Sequence, residues 1–361
     1  MTRVNTLRAR KVNSAYKGKK VLITGGLGFI GSNLAIRLVE LGARVTIVDS
    51  SVRGCGANLH NISPVSGKVC VVERDVGEAA ELRGEIIESE VIFNLAGEVS
   101  HIHSMEFPTR DAELNASAQL RFLQACMQLA PGIRIVYAGT RQIYGVPQVL
   151  PVDETHPVRP ADFNGIHKYA ATMYHLLGSR IGKLDAVVLC LTNVYGPRMA
   201  LDEPCQGFLG NFLRRSLQGR PIEIYGEGRQ LRDPLYVADA VDAFLGAGSA
   251  PELPSRLYNL GGPKPLQLYE IAEIASRVAG GPPPIHSPFP AERKAIDIGS
   301  YYADVSRIRQ ELSWEATVGF EEGVRRALAY YNRELWHYLD PSAVEPQCKL
   351  GLPSVTVPSS A

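Results

Sequence analysis

Val21-Leu22-Ile23-Thr24-Gly25-Gly26-Leu27-Gly28-Phe29-Ile30-Gly31 is the stretch that decides the fold of this chain. The apolar run Val21 to Ile23 predicts a buried strand and the glycines a tight turn. Residues 32–41, with Leu34, Ala35, Leu38, Val39 and Leu41 at helical spacing, predict a helix. Gly25 permits unusual dihedrals, Gly28 lets a pyrophosphate approach the backbone, and Gly31 allows close helix–strand packing. The helix N-terminus then offers free N–H groups and a positive dipole end to phosphates, with Phe29 and Ile30 in the same ligand-binding turn. A second strand, residues 44–48, ends in Asp49, about 20 residues beyond the turn, where an acidic side chain binds a ribose 2′-hydroxyl. The same carboxylate repels a 2′-phosphate, so the expected cofactor is NAD rather than NADP.

At 361 residues the chain suits one large α/β unit with a smaller second lobe. Lys and Arg number 38 against 37 Asp and Glu, a balance that suggests neither a nucleic-acid surface nor a membrane patch. The basic start, from Arg3 to Lys20, lacks the apolar core of a signal peptide, and no segment approaches the apolar length that spans a bilayer. Six cysteines lie scattered without C-x-x-C spacing or histidine pairing, so neither a metal site nor a disulfide frame is expected. A cytoplasmic location follows as the expectation.

Downstream, residues 50–67 read as a loop over the adenosine. A strand at 68–72 leads to Arg74-Asp75-Val76, a helix carries Leu82, Ile86 and Ile87, and Val91-Ile92-Phe93 runs into Asn94-Leu95-Ala96-Gly97. A long helix is expected over 111–130. A strand at 133–137 then delivers Thr140-Arg141-Gln142-Ile143-Tyr144-Gly145, followed by a helix at 168–177 and a strand at 186–191. This alternation predicts a doubly wound parallel sheet, with ligands bound beyond the strands' C-terminal ends. The expected division is a flexible arm at 1–17, a dinucleotide-binding unit at 18–191 with returns from 233–247, a mainly substrate-binding lobe at 192–340, and a flexible tail at 341–361. The second lobe is expected to hold helices at 207–218 and 267–279.

The ordered motifs resemble the extended short-chain dehydrogenase/reductase family, specifically its nucleotide-sugar epimerases and dehydratases, over residues 19–335. They are Thr24-Gly25-x-x-Gly28-x-x-Gly31, Asp49, Asp75-Val76, Asn94-Leu95-Ala96-Gly97, Thr140 before Ile143-Tyr144-Gly145, Lys168, Asn193-Val194-Tyr195-Gly196-Pro197, and Arg232-Asp233 ahead of Tyr236-Val237-x-Asp239. The resemblance implies a Rossmann-type sheet and a C-terminal substrate lobe. It also implies that Asp75 and Val76 contact adenine, that Leu95 and Ala96 line the cofactor, and that Lys168 bonds the nicotinamide ribose. Asn193, Arg232 and Arg293 would hold the diphosphate of a nucleotide sugar, a task for which guanidinium groups are suited by their bidentate donors. It further implies a homodimer formed through the helices at 111–130 and 168–180.

One position departs from the family. Its members use Tyr-x-x-x-Lys, in which the lysine lowers the tyrosine's pKa so that a phenolate takes the hydroxyl proton as hydride leaves for NAD. Four residues before Lys168 stands Asn164, in Asn164-Gly165-Ile166-His167-Lys168. Three readings follow. Another base acts, with His167 beside the lysine and His101, His103 or Glu98 from the neighbouring strand end. Alternatively, Lys168 relays the proton through Thr140 or water, or the redox step is lost and a binding protein remains. Thr140 matches the family residue that hydrogen-bonds the reacting hydroxyl. The 4,6-dehydratases carry an Asp-Glu pair directly after it, and here Arg141-Gln142 stand instead, which favours epimerisation over dehydration. The expectation is an NAD-dependent nucleotide-sugar epimerase with Thr140, Lys168, Asn164 and His167 at the reacting centre; the alternatives are a nucleotide-sugar dehydrogenase or dehydratase, or a noncatalytic nucleotide-sugar-binding protein.

Overall fold

Strand β1 (Lys20–Thr24) is buried from Val21 onward because both its faces are covered. The computed structural model describes residues 14–52, 56–201 and 207–339. After the glycine turn come helix α1 (Phe29–Glu40) and β2 (Arg44–Asp49), then β3 (Val69–Glu73), α2 (Arg83–Glu88) and β4 (Val91–Asn94). Two short helices, α3 (His101–Glu106) and α4 (Pro108–Ala112), precede α5 (Ala118–Leu129) and β5 (Arg134–Thr140). The long α6 (Phe163–Arg180) leads to β6 (Asp185–Leu191), and α7 (Phe208–Leu217) and α8 (Val237–Ser249) lead to β7 (Leu257–Asn259). Helices α9 (Leu268–Ala279) and α10 (Phe320–Glu334) complete the fold.

The seven strands form one sheet in the order β7-β6-β5-β4-β1-β2-β3, every pair parallel. Alternate side chains supply two separate cores, as the period of a strand requires. Val21, Ile23, Phe93, Val136 and Val187 pack with α1 and α8, whereas Leu22, Ile92, Ile135 and Ala186 pack with α2 and α5. The sheet order reverses between β1 and β4. Ligand clefts open at such switch points, beyond the C-terminal ends of the strands. A further core is built wholly from residues after 194, among them Phe212, Leu213, Ile271, Val324 and Tyr331 of α7, α9 and α10.

Four local differences from expectation have physical causes. The expected arm reaches residue 17, yet Tyr16 is buried and its hydroxyl donates to Leu245 O at 2.7 Å, which ties residues 14–17 to the sheet's helical layer. The rest of that arm and the tail at 341–361 lie outside the described residues. In the expected loop over the adenosine, Leu59–Lys68 forms a 3-10 helix, whose first turn is closed by the Asn58 side chain accepting from His60 N; residues 53–55 lie outside the described set. The single helix expected over 111–130 is interrupted by a π-helical turn, Glu113–Ser117, between α4 and α5. Such a turn widens the backbone spiral and re-aims side chains, a shift that hydrophobic spacing does not register. Helix α6 starts at Phe163 rather than near 168, because Asp162 caps it by accepting from Gly165 N at 2.7 Å.

Candidate active site

The turn after β1 shapes one end of a cleft of about 300 Å³. A Cβ at Gly31 would stand 2.2 Å from Gly25 O, and one at Gly25, whose φ is +69°, would press on the Ala96 backbone at 2.9 Å. Neither position tolerates a side chain. A Cβ at Gly28 would meet only Gly25 O, so its open side faces the cleft and the start of α1. Asp49, at the end of β2, accepts from Leu27 N and Ser51 N, each at 3.0 Å. Burial raises its pKa and those two bonds oppose the rise. Phe29, Ile30, Asp75, Val76, Leu95 and Ala96 line the same cleft, and Asp75 is held by Gly77 N at 2.7 Å. The bare glycine cradle, a helix N-terminus and a carboxylate at the end of β2 together fit a dinucleotide.

A buried polar chain fixes the floor. Thr24 Oγ1 donates to Asn94 Oδ1 at 2.7 Å and accepts from Leu95 N and Ala96 N. Asn94 Nδ2 reaches Gln119 Oε1 and His175 Nε2, and Gln119 Nε2 in turn donates to Ala96 O. Burial pushes the His175 pKa down to about 4, so this ring stays neutral and serves the network as an acceptor.

At the other end of the cleft lie Glu98, His101, Thr140, Gln142, Asn164, Lys168 and Asn193. Thr140, the last residue of β5, accepts from Gln142 N at 3.3 Å. Lys168 is enclosed by α6, β4 and β5, its Nζ 5.7 Å from the centre of the Tyr137 ring. Burial pushes its pKa down to about 8, against the opposing charge of Asp111. The side chain leaves no room at Gly97, where a Cβ would stand 2.6 Å from Nζ.

Asn164 is buried, and its Nδ2 donates to Glu98 O at 3.0 Å and to Asp111 Oδ2 at 2.9 Å. It therefore clamps the loop after β4 to α4. His167 Nδ1 meets the other oxygen of Asp111 at 2.7 Å, and His167 is absent from the cleft lining. His103 pairs with Glu98 Oε1 at 2.5 Å. His101 does face the cleft; its Nδ1 lies 2.5 Å from Asp162 Oδ2, and its Nε2 touches the Gln142 amide.

The residues expected at a diphosphate separate. Asn193 lines the cleft and its buried Oδ1 has no protein partner. Arg232 is buried but does not line the cleft: it donates to Leu231 O at 2.8 Å and Gly299 O at 2.5 Å. Burial, followed by the charge of Arg141, pushes its pKa down to about 9. Arg293 sits in the short helix Ala291–Lys294, over the Tyr225 ring and away from the cleft. Outside the cleft, ligating atoms of His60, Glu334 and His337 come within 4.8 Å of one another, a grouping the cysteine-based reading of metal sites did not anticipate.

Sequence reasoning missed Asp111 and Asn115. Asn115 Oδ1 accepts from Glu98 N at 3.1 Å, and Asp111 anchors the Asn164 amide that donates to Glu98 O, so together they hold the loop at Glu98 that leads to His101. Their four-residue spacing was the available cue, since it places two polar groups on one helical face.

A sequence profile of the NAD dependent epimerase/dehydratase family matches residues 21–261. A UDP-glucose 4-epimerase of Mycolicibacterium smegmatis is 31% identical over 87% of this chain and 99% of its own length. Among solved structures, the UDP-glucose 4-epimerase of Thermotoga maritima with UDP-glucose is similar at 27% identity and a TM-score of 0.79, covering 88% of this chain and 99% of that one. The Thermus thermophilus UDP-glucose 4-epimerase in complex with NAD is similar at 28% identity and a TM-score of 0.77, covering 87% and 99%.

Proposed function

Because the chain belongs to the NAD-dependent epimerase/dehydratase family, a family of enzymes whose cofactor is NAD, we propose that it epimerises a nucleotide-diphosphate sugar by transient oxidation of a ring hydroxyl. The observation that carries this reading is the continuity of one cleft from the glycine cradle and Asp49 to Thr140 and Lys168. When bound, NAD accepts a hydride from the sugar and returns it. Gly25, Gly28, Phe29, Ile30 and Gly31 would take the pyrophosphate, Asp49 a ribose, Asp75 and Val76 the adenine, and Leu95, Ala96 and Lys168 the nicotinamide side.

Thr140 orients the reacting hydroxyl, and Lys168, kept from water, supplies positive charge where oxygen becomes electron-rich. Asn164 holds the loop after β4 rather than moving a proton, since an amide has no acid–base chemistry near neutral pH. Asn193 offers a free amide oxygen in the cleft, and Arg232 and Arg293 would reach a diphosphate only by leaving their present partners. Gln142 in the position of a dehydratase carboxylate supports epimerisation. The apolar side chains of Ile166, Met173 and Leu177 lie exposed along α6, with Ile181 exposed just after its end and Leu120 on the adjacent α5, and support pairing of these helices in a homodimer. No helix among the described residues is long and apolar enough to cross a membrane.

The test uses the purified holoprotein with UDP-, dTDP-, GDP- and CDP-linked hexoses, following the absorbance of the reduced nicotinamide and the sugar's stereochemistry. Transient reduction with an isomerised sugar is the expected result. Steady accumulation of NADH would make the protein a dehydrogenase, and bound NAD that no sugar reduces would favour a binding protein.

A further inference from the structure

We propose that His101, held by Asp162, is the general base that stands in for the missing tyrosine. The proposal rests on the epimerase reading above. Of the groups near Asn164, three histidines are paired with carboxylates through Nδ1, but His101 is the one histidine among the described residues that lines the cleft.

The hydrogen-bond network assigns its protons. Asp162 is buried, with Oδ1 fixed by Gly165 N at the start of α6 and Oδ2 at 2.5 Å from His101 Nδ1. Burial works against ionisation of this carboxyl, but the His101 contact, the Gly165 N–H and the charge of Arg141 together leave its pKa below the ordinary value. An ionised carboxylate accepts only, so Nδ1 carries the hydrogen, and a lone pair on this ring can stand only at Nε2. That lone pair meets the Gln142 side-chain amide, which the sugar hydroxyl must displace to reach Nε2; the buried Gln142 Oε1 has no partner to hold the amide in place. Gln142 also donates its backbone N–H to Thr140 Oγ1, so one residue connects the imidazole to the expected hydroxyl-binding threonine.

In the oxidative step the sugar's O–H bond breaks and its proton passes to His101 Nε2. The C–H hydride of the same carbon passes to NAD, leaving a carbonyl on the sugar. The resulting imidazolium faces the Asp162 carboxylate, which stabilises it. Return of the hydride to the other face of the carbonyl regenerates NAD, and His101 gives its proton back to the oxygen. Glu98 also lines the cleft, but its Oε1 is engaged by His103, and Lys168 stands over the Tyr137 ring. A further charge acts on the dyad from Arg141, after β5, and on the dyad's own helix and the loop before it His103 is paired with Glu98.

Two measurements on the holoprotein test this. In protein labelled with nitrogen-15 at histidine, the His101 ring should show a protonated Nδ1 and a bare Nε2, a pattern lost in Asp162→Asn; an Nε2–H tautomer, or no response to Asp162→Asn, overturns the dyad. With UDP-glucose, or whichever nucleotide hexose reduces the wild-type cofactor, His101→Ala should slow reduction roughly 100-fold or more, the scale of a lost general base. NAD content should stay unchanged, and added imidazole should restore part of the rate. A His101→Ala rate within about threefold of wild type, well short of the effect of a lost base, overturns the proposal. If the wild type reduces NAD with no sugar, the epimerase reading fails, and the tautomer measurement still decides the dyad.

Discussion

His101 and His167 each meet a buried carboxylate through Nδ1, His101 on Asp162 and His167 on Asp111. Their carboxylates are spent differently. Asp162 divides its two oxygens between a helix cap and His101, whereas Asp111 divides its own between His167 and Asn164, both inside the packing of α4 against α6. The His101 side chain is 37% exposed and lines the cleft; that of His167 is 16% exposed and does not. The same pairing thus builds a reactive nitrogen in one place and a structural tie in the other. Which role results depends on where the second ring nitrogen points.

The contrast can be broken most forcefully through the carboxylates. Asp111→Ala strips partners from Asn164 and His167 at once, and should lower the unfolding free energy by about 3 kcal/mol, read from the urea midpoint. Asp162→Ala, which loses a cap at the helix end, should cost about 1 kcal/mol in the same assay. Equal losses would erase the distinction between the two pairs. Asn164→Tyr is next: the new side chain cannot make both amide bonds, and the rate of cofactor reduction should fall about tenfold, an energy of about 1.4 kcal/mol. A rate above wild type, with NAD content intact, would instead mean that the cleft had kept a tyrosine-based mechanism with its tyrosine removed. His167→Gln should have the smallest effect, within about threefold on the rate, because its partner is a buried acid outside the cleft. A loss near that of His101→Ala would return His167 to the reacting centre.

The cofactor end of the cleft was legible because its requirements are local. A glycine that abuts another backbone, as Gly31 does, and an acid at the end of the next strand leave their marks at fixed spacing. The parallel sheet was legible for a similar reason, since strands covered on both faces become continuous apolar runs such as Val91-Ile92-Phe93. Strand β7 carried no such signal: Leu257–Asn259 is three residues long and follows a polar approach. At the substrate end, the departure at Asn164 was visible but its consequence was not. His101 is 61 residues from Asp162, and Asn164 is 53 from Asp111, so no spacing rule connects them. Arg232 matched its motif in sequence, yet three-dimensional packing has already committed its guanidinium to backbone carbonyls.

The place of β7 also sets an order of events during synthesis. Strand β6 ends at Leu191, but its outer edge is covered only when Leu257–Asn259 arrives, after α7 and α8 have been made. Until those residues clear the ribosome, the nascent sheet presents an open, largely buried-type edge to the cell, the kind of surface that pairs with other chains. A translational pause placed far enough beyond residue 260 for Leu257–Asn259 to have left the ribosome would let the edge close before the second core, built from α7, α9 and α10, is complete, whereas one placed when β6 but not β7 has emerged would prolong the exposure. Codon choice in an expression host therefore bears on the yield of soluble protein at a position far from any residue of the cleft.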